Sequence, residues 1–156
     1  MATINYIKGD ATEPQVPGQK IIAHICNDIG AWGAGFVLAI SKKWDEPEAS
    51  YRGIGYYVLG TVDLVPVEDD ILVANMIAQH GIYIDDDGKP PIRYEALKKA
   101  LEMLDIVARG MHASIHMPRI GTGLAKGNWK EIEKIIIESI DDEVEVYVYD
   151  LPEKNK

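Results

Sequence analysis

The sequence predicts an α/β fold, a mixed sheet covered by helices on both faces, and three observations predict it. Apolar, β-rich stretches alternate with stretches of helical periodicity through most of the 156 residues. Two glycine-rich loops, 27–35 and 119–127, each leave an expected strand and enter an expected helix. The apolar share, 47%, suffices for a packed core in one domain spanning residues 1–156.

The elements follow in order. TINYIKG (3–9) alternates as a strand should, and GDATEPQVPGQ after it is a turn-rich connection. KIIAHIC (20–26) is an apolar strand. NDIGAWGAG (27–35) is a glycine-rich loop, and FVLAISKKW (36–44) then sets Phe36, Val37, Ile40 and Trp44 at helical spacing. Pro47 reads as a stop signal beyond that helix. GYYVLGTVDLVPV (55–67) and DDILVANMIAQ (69–79) read as neighbouring strands joined at the acidic turn Glu68–Asp70. GIYIDDDGKPPIR (81–93) reads as loop. YEALKKALEMLDIVARG (94–110) is the clearest helix, with Leu97, Leu101, Leu104 and Val107 on one face and Gly110 as its C-terminal cap. A strand at 113–117, the second glycine loop, a helix at 128–139 and a last strand, EVEVYVYDL (143–151), complete the chain, and 152–156 reads as a frayed polar tail.

Charge and cysteine content narrow the function. With 25 acidic against 16 basic residues and a net charge of -9, the chain is not expected to be specific for nucleic acid. Cys26 is alone, so an internal disulfide is excluded and a reducing compartment fits. The N-terminus lacks a signal-peptide pattern, and no apolar run reaches the length of a membrane span. The expectation is a soluble cytoplasmic domain without a membrane partner.

The stretch MPRIGTGLAKGNW (117–129) carries the strongest chemical signal. Glycine in a strand-to-helix turn permits positive φ and lets N–H groups approach a ligand. The helix start adds unpaired donors and partial positive charge, which suits phosphate. The loop lacks the Gly-Lys-Ser/Thr ending of a Walker A sequence, and GTGLAKG is one residue too long for a dinucleotide fingerprint. If loops 27–35 and 119–127 share one sheet edge, their donors converge on one elongated anion such as a diphosphate.

Other candidates are weighed against simpler roles. Asp10 either caps its own turn or accepts from a purine amino group. His24 and Cys26 share a strand face, but residues two apart rarely place a base on a nucleophile, so Cys26 reads as core. Asn27, at the strand's carboxyl end, is the better candidate for holding ligand or water. His112 and His116 lack the company a zinc site needs. Asp85-Asp86-Asp87-Gly88 starts like a calcium loop but is followed by Lys89 and Pro90, so it reads as a solvated turn.

YIKGDAT (6–12), IIAHICNDIGAWGAGFVLAISKKW (21–44), VANMIAQ (73–79) and MPRIGTGLAKGNW (117–129) together resemble the macro domains, which bind ADP-ribose. The resemblance covers nearly the whole chain and is closest to the branch of terminal ADP-ribose glycohydrolases and ADP-ribose 1''-phosphate phosphatases. It implies a three-layer α/β/α sandwich with a central mixed sheet. It implies that Asp10 and Ala11 lie at adenine with Tyr149 packed nearby. Gly121, Thr122, Gly123, Leu124 and Ala125 would wrap the diphosphate, and Gly33, Ala34, Gly35 and Phe36 would close its other side. Asn27 and His24 would lie at the distal ribose, as the candidate catalytic residues. Glycohydrolases of this branch use a lysine and an aspartate, and this chain has Gln79 and Ala125 at the matching places. Neither can do that chemistry.

Three functions stay open on this reading. One is hydrolysis of a distal-ribose derivative, ADP-ribose 1''-phosphate or O-acyl-ADP-ribose. Another is a non-catalytic reader of ADP-ribosylated protein. The remote alternative is a nicotinamide-dinucleotide oxidoreductase. The first two need no cofactor and no metal.

Overall fold

The structure is a computed structural model that describes residues 1–152. Of the tail expected to fray, only Pro152, which is exposed, falls among the described residues. The elements run β1 (Ile4–Lys8), β2 (Lys20–Asn27), α1 (Phe36–Lys43), α2 (Glu46–Gly53), β3 (Val62–Glu68), β4 (Ile71–Gln79), α3 (Tyr94–Met111), β5 (Ser114–Pro118), α4 (Trp129–Ser139) and β6 (Val146–Asp150). The strands form one sheet in the order β1-β6-β5-β2-β4-β3. Neighbours are parallel except at the edge, where β3 runs antiparallel to β4 across the predicted acidic turn.

Successive side chains of a strand point to opposite faces, and β2 and β4 bury both. Ile21, Ala23, Ala74 and Met76 meet Leu97, Leu101 and Leu104 of α3 and Ile132 and Ile136 of α4. Ile22, Cys26, Val73 and Ile77 meet Val37, Ile40 and Trp44 of the α1 segment and Tyr51 of α2. The result is the expected three-layer α/β/α sandwich. No described helix is long and apolar enough to cross a membrane.

The structure corrects four local readings. Pro47 does not stop a helix; it sits in the first turn of α2, where a missing N–H costs nothing because first-turn donors have no intrahelical acceptor. The strand expected from residue 55 begins only at Val62, because Gly55 (φ 76°) and Gly60 (φ 94°) break the extended run. Gly110 stays helical; the left-handed residue that ends α3 is His112 (φ 54°), which lets Ala113 N–H close on Ala108 O at 2.9 Å. The last strand starts at Val146 rather than at 143.

One pairing positions the site. β2 and β5 are in register only from Lys20–Ile22 against Ser114–His116. Beyond that the two strands part toward their carboxyl ends. To one side of this point the chain proceeds to β4 and β3, to the other to β6 and β1, which is where α/β sheets offer a ligand crevice.

Candidate functional site

The parting opens a cleft of about 380 Å³. His24 and Ile25 of β2 line its floor, Gly35 and Phe36 one wall, Pro118–Ala125 the other, and Tyr149 and Asp150 one end. Past Ile25, Ala34, Gln79 and Leu124 it continues into a hollow of about 300 Å³ lined by Asn27, Gly33, Ile82 and Tyr83. A larger hollow of about 580 Å³ beside Tyr94 and Lys99 touches neither glycine loop.

The two loops do face each other, as the sequence suggested: a Cβ on Gly35 would lie 3.7 Å from Leu124 Cδ1. Gly121 (φ 76°) anchors the 119–127 loop, since a Cβ there would meet Ile92 Cδ1 at 2.6 Å. Gly127 N–H closes the loop on Gly121 O at 2.6 Å. Gly123, by contrast, borders open cleft: a Cβ there would have nothing within 4 Å. Among the described residues, the N–H groups of Gly121, Thr122, Gly123, Leu124 and Ala125 donate to no protein acceptor. The start of α4 does not add to them, because Asn128 Oδ1 accepts from Lys130 and Glu131 N–H. The start of α1 does, because no side chain caps it.

His24 is buried against Trp32 and Phe36, and desolvation lowers it to about 4, so it is neutral near neutrality. Its Nε2 lies 2.5 Å from Asn75 Oδ1. Asn75 Nδ2 donates to Pro47 O (3.1 Å) and Asp63 Oδ2 (3.2 Å), which are acceptors only. That fixes the amide orientation, so Nε2 of His24 carries the proton. Cys26 Sγ lies 3.8 Å from the same ring, and burial pushes the thiol well up, which fits its reading as core.

Asn27 is committed to the loop it opens. Its Oδ1 accepts from Ile29 N (3.1 Å), Ala31 N (3.0 Å) and Tyr51 OH (2.7 Å), and its Nδ2 donates to Ala31 O (2.8 Å). Asp10 caps its own turn, Oδ1 accepting from Thr12 N (2.8 Å) and Thr12 OH (2.7 Å), while its Oδ2 has no partner among the described residues. Asp10 and Ala11 stand outside the cleft lining, but the turn abuts it: Gly9 N–H donates to Asp150 O (2.9 Å), and a Cβ on Gly9 would lie 3.6 Å from the Tyr149 ring. Tyr149 OH points inward to His116 Nδ1 at 2.7 Å, and burial pushes the phenol up to about 12.

Two pairs that the sequence did not single out stand in the cleft and beside it. Arg119 forks onto Asp150 (2.7 and 3.0 Å) at the Tyr149 end and lies over the rings of Tyr6 and Trp129. Beyond the distal hollow, beside an adjoining one that shares Ile82 and Tyr83 with it, His80 Nδ1 meets Asp28 Oδ2 at 2.7 Å. Partners 31 and 52 residues apart leave no local spacing signal. Gln79 lines both parts of the cleft and donates to Gly81 O (2.9 Å), while Ala125 is buried, so no lysine or aspartate occupies those places. No cluster of three potential metal ligands occurs among the described residues.

Comparison with solved structures finds a macrodomain protein from Streptomyces coelicolor, 45% identical over 95% of this chain and 99% of that one, with a TM-score of 0.82. The chain belongs to the macrodomain family. No protein-family profile matches it. Among curated proteins, this macrodomain is 31% identical to mouse Chromodomain-helicase-DNA-binding protein 1-like, matching 96% of its own length but only 18% of that protein's. It is 27% identical to an ADP-ribose 1''-phosphate phosphatase from Lodderomyces elongisporus, over 95% of this macrodomain and 99% of the yeast protein.

Proposed function

We propose that the cleft binds ADP-ribose and that the chain hydrolyses a derivative at the distal ribose, ADP-ribose 1''-phosphate before O-acyl-ADP-ribose. The observation that carries this is the run of five N–H groups, Gly121–Ala125, without a partner among the described residues, facing the uncapped start of α1 across the cleft. Such a cradle holds a diphosphate without lysine, which reconciles anion binding with a net charge of -9. The diphosphate would sit between these loops, adenosine toward Tyr149 and Asp10, and the distal ribose toward Ile82 and Tyr83. The full-length match to a protein named for the phosphatase activity supports the 1''-phosphate.

One observation favours a second reading, a module that recognises ADP-ribose on protein without turnover. Asn27 is bound into its own loop, and His24 is a buried, weak base. Calorimetry with ADP-ribose, followed by phosphate release from its 1''-phosphate, separates the readings. Binding with release is expected, and binding of NAD as tight as ADP-ribose would overturn the assignment of the cleft.

A further inference from the structure

We propose that His80 and Asp28 form the acid–base centre at the distal end of the cleft, with His80 Nε2 as the general base. The proposal rests on the hydrolase reading above. Hydrolysis needs a group that takes a proton from water. The cleft itself offers only poor candidates: Gln79 and Ala125 are inert, the Asn27 oxygen is taken, Arg119 holds Asp150, and His24, spending its Nε2 proton on Asn75, is buried and lowered to about 4, a weak base. His80 and Asp28 sit on the two loops that wall the distal hollow, just past the carboxyl ends of β4 and β2. Ile82 and Tyr83 line both that hollow and the adjoining one that holds His80.

The pair is built rather than incidental. Asp28 Oδ1 accepts from Gly81 N at 2.8 Å, and Asp28 N donates to Gln79 O at 2.9 Å. His80 N donates to Pro91 O at 2.7 Å. The Asp28 side chain is only 14% exposed, whereas that of His80 is 54% exposed. Because Asp28 Oδ2 accepts, Nδ1 of His80 carries the proton and Nε2 keeps a lone pair. Nε2 meets no partner among the described residues. A base held in one tautomer by a carboxylate is the arrangement that activates water or a hydroxyl.

The step balances. Water gives a proton to His80 Nε2 as its oxygen bonds to phosphorus. The bond from phosphorus to the ribose 1''-oxygen breaks, and the imidazolium returns the proton to that oxygen. ADP-ribose and inorganic phosphate leave, and His80 is neutral again. Asp28 acts through His80, as a positioning residue.

The test measures phosphate release from ADP-ribose 1''-phosphate and calorimetric ADP-ribose binding by the native chain, His80→Gln and Asp28→Asn. His80→Gln should lower kcat by about 10²–10⁴-fold with KM and ADP-ribose affinity within about threefold. In Asp28→Asn the amide oxygen must still face Gly81 N–H, so its NH₂ faces His80 and forces the other tautomer. Nitrogen NMR should therefore show Nδ1–H in the native chain and Nε2–H in Asp28→Asn, with a similar loss of kcat. Native-like kcat in His80→Gln overturns the proposal, as does a native chain that binds ADP-ribose and releases no phosphate. Failure of the native chain to bind ADP-ribose would instead remove the reading beneath it.

Discussion

Gly123 and Asn27 illustrate opposite uses of a residue at the cleft. Gly123 faces open space, so a side chain there enters the cleft without disturbing the core. Gly123→Glu sets a negative charge against the expected diphosphate. At about 4 Å, like charges repel by roughly 4 kcal/mol at an effective dielectric of 20. ADP-ribose binding, measured by calorimetry, should fall more than a hundredfold while the melt stays within a few degrees of native. Asn27 is the reverse case. Asn27→Ala strands Ile29 N–H and Ala31 N–H, held at 3.1 and 3.0 Å, and leaves Tyr51 OH only the main-chain carbonyl at 2.7 Å. Leaving buried groups unmade costs about 1–3 kcal/mol, so this variant should melt earlier. Any loss of turnover in it should come with that loss of stability; lost turnover with a native melt would return Asn27 to the chemistry.

At the scale of elements, the readable parts were those with dense periodic signals. β2 and β4 read as unbroken apolar runs because both faces are covered, and α3 and α4 showed one apolar stripe each. α2 was missed because Pro47 is ambiguous: it ends a helix from within and opens one from its first turn. With α2 went Tyr51, one of the partners that commit Asn27. The glycine loops were legible as local motifs. The pairs Asp28–His80 and Arg119–Asp150 were not, because only the fold brings those residues together. The 119–127 loop yields its own prediction. Gly121→Ala would need a positive φ and would drive a methyl to 2.6 Å from Ile92 Cδ1. Overpacking of that kind costs about 1–3 kcal/mol. Chemical denaturation should show a lower midpoint, and binding should weaken as the cradle shifts. A native midpoint would mean that the loop is not anchored on the core.

For the molecule as a whole, two buried histidines set the acid response. Desolvation lowers both His24 and His116 from 6.5 to about 4. Between those values the unfolded chain binds protons that the folded chain refuses. The contribution to stability is complete above the unfolded value of 6.5 and is lost progressively as pH falls to about 4. Each histidine accounts for roughly 3 kcal/mol over that window, a large fraction of an ordinary domain's stability. The carboxylates of Asp70 and Asp150, held low by Lys20 and Arg119, act in the same direction but only at still lower pH. Melting temperature should therefore drop steeply below pH 6.5, and His116→Gln, where it folds, should flatten that slope. A flat profile from pH 7 to about 4.5 would contradict the burial of both rings.

The early parting of β2 from β5 also has a consequence in time. A crevice opened by two strands of a rigid sheet, rather than by a lid, is present before any ligand arrives. Association then involves no slow rearrangement and should proceed in one step, at about 10⁵–10⁷ M⁻¹s⁻¹ or faster. In stopped-flow mixing with ADP-ribose the observed rate should rise linearly with concentration and show no plateau. Differences in affinity among cleft variants should then lie in how long the ligand stays, not in how quickly it is caught.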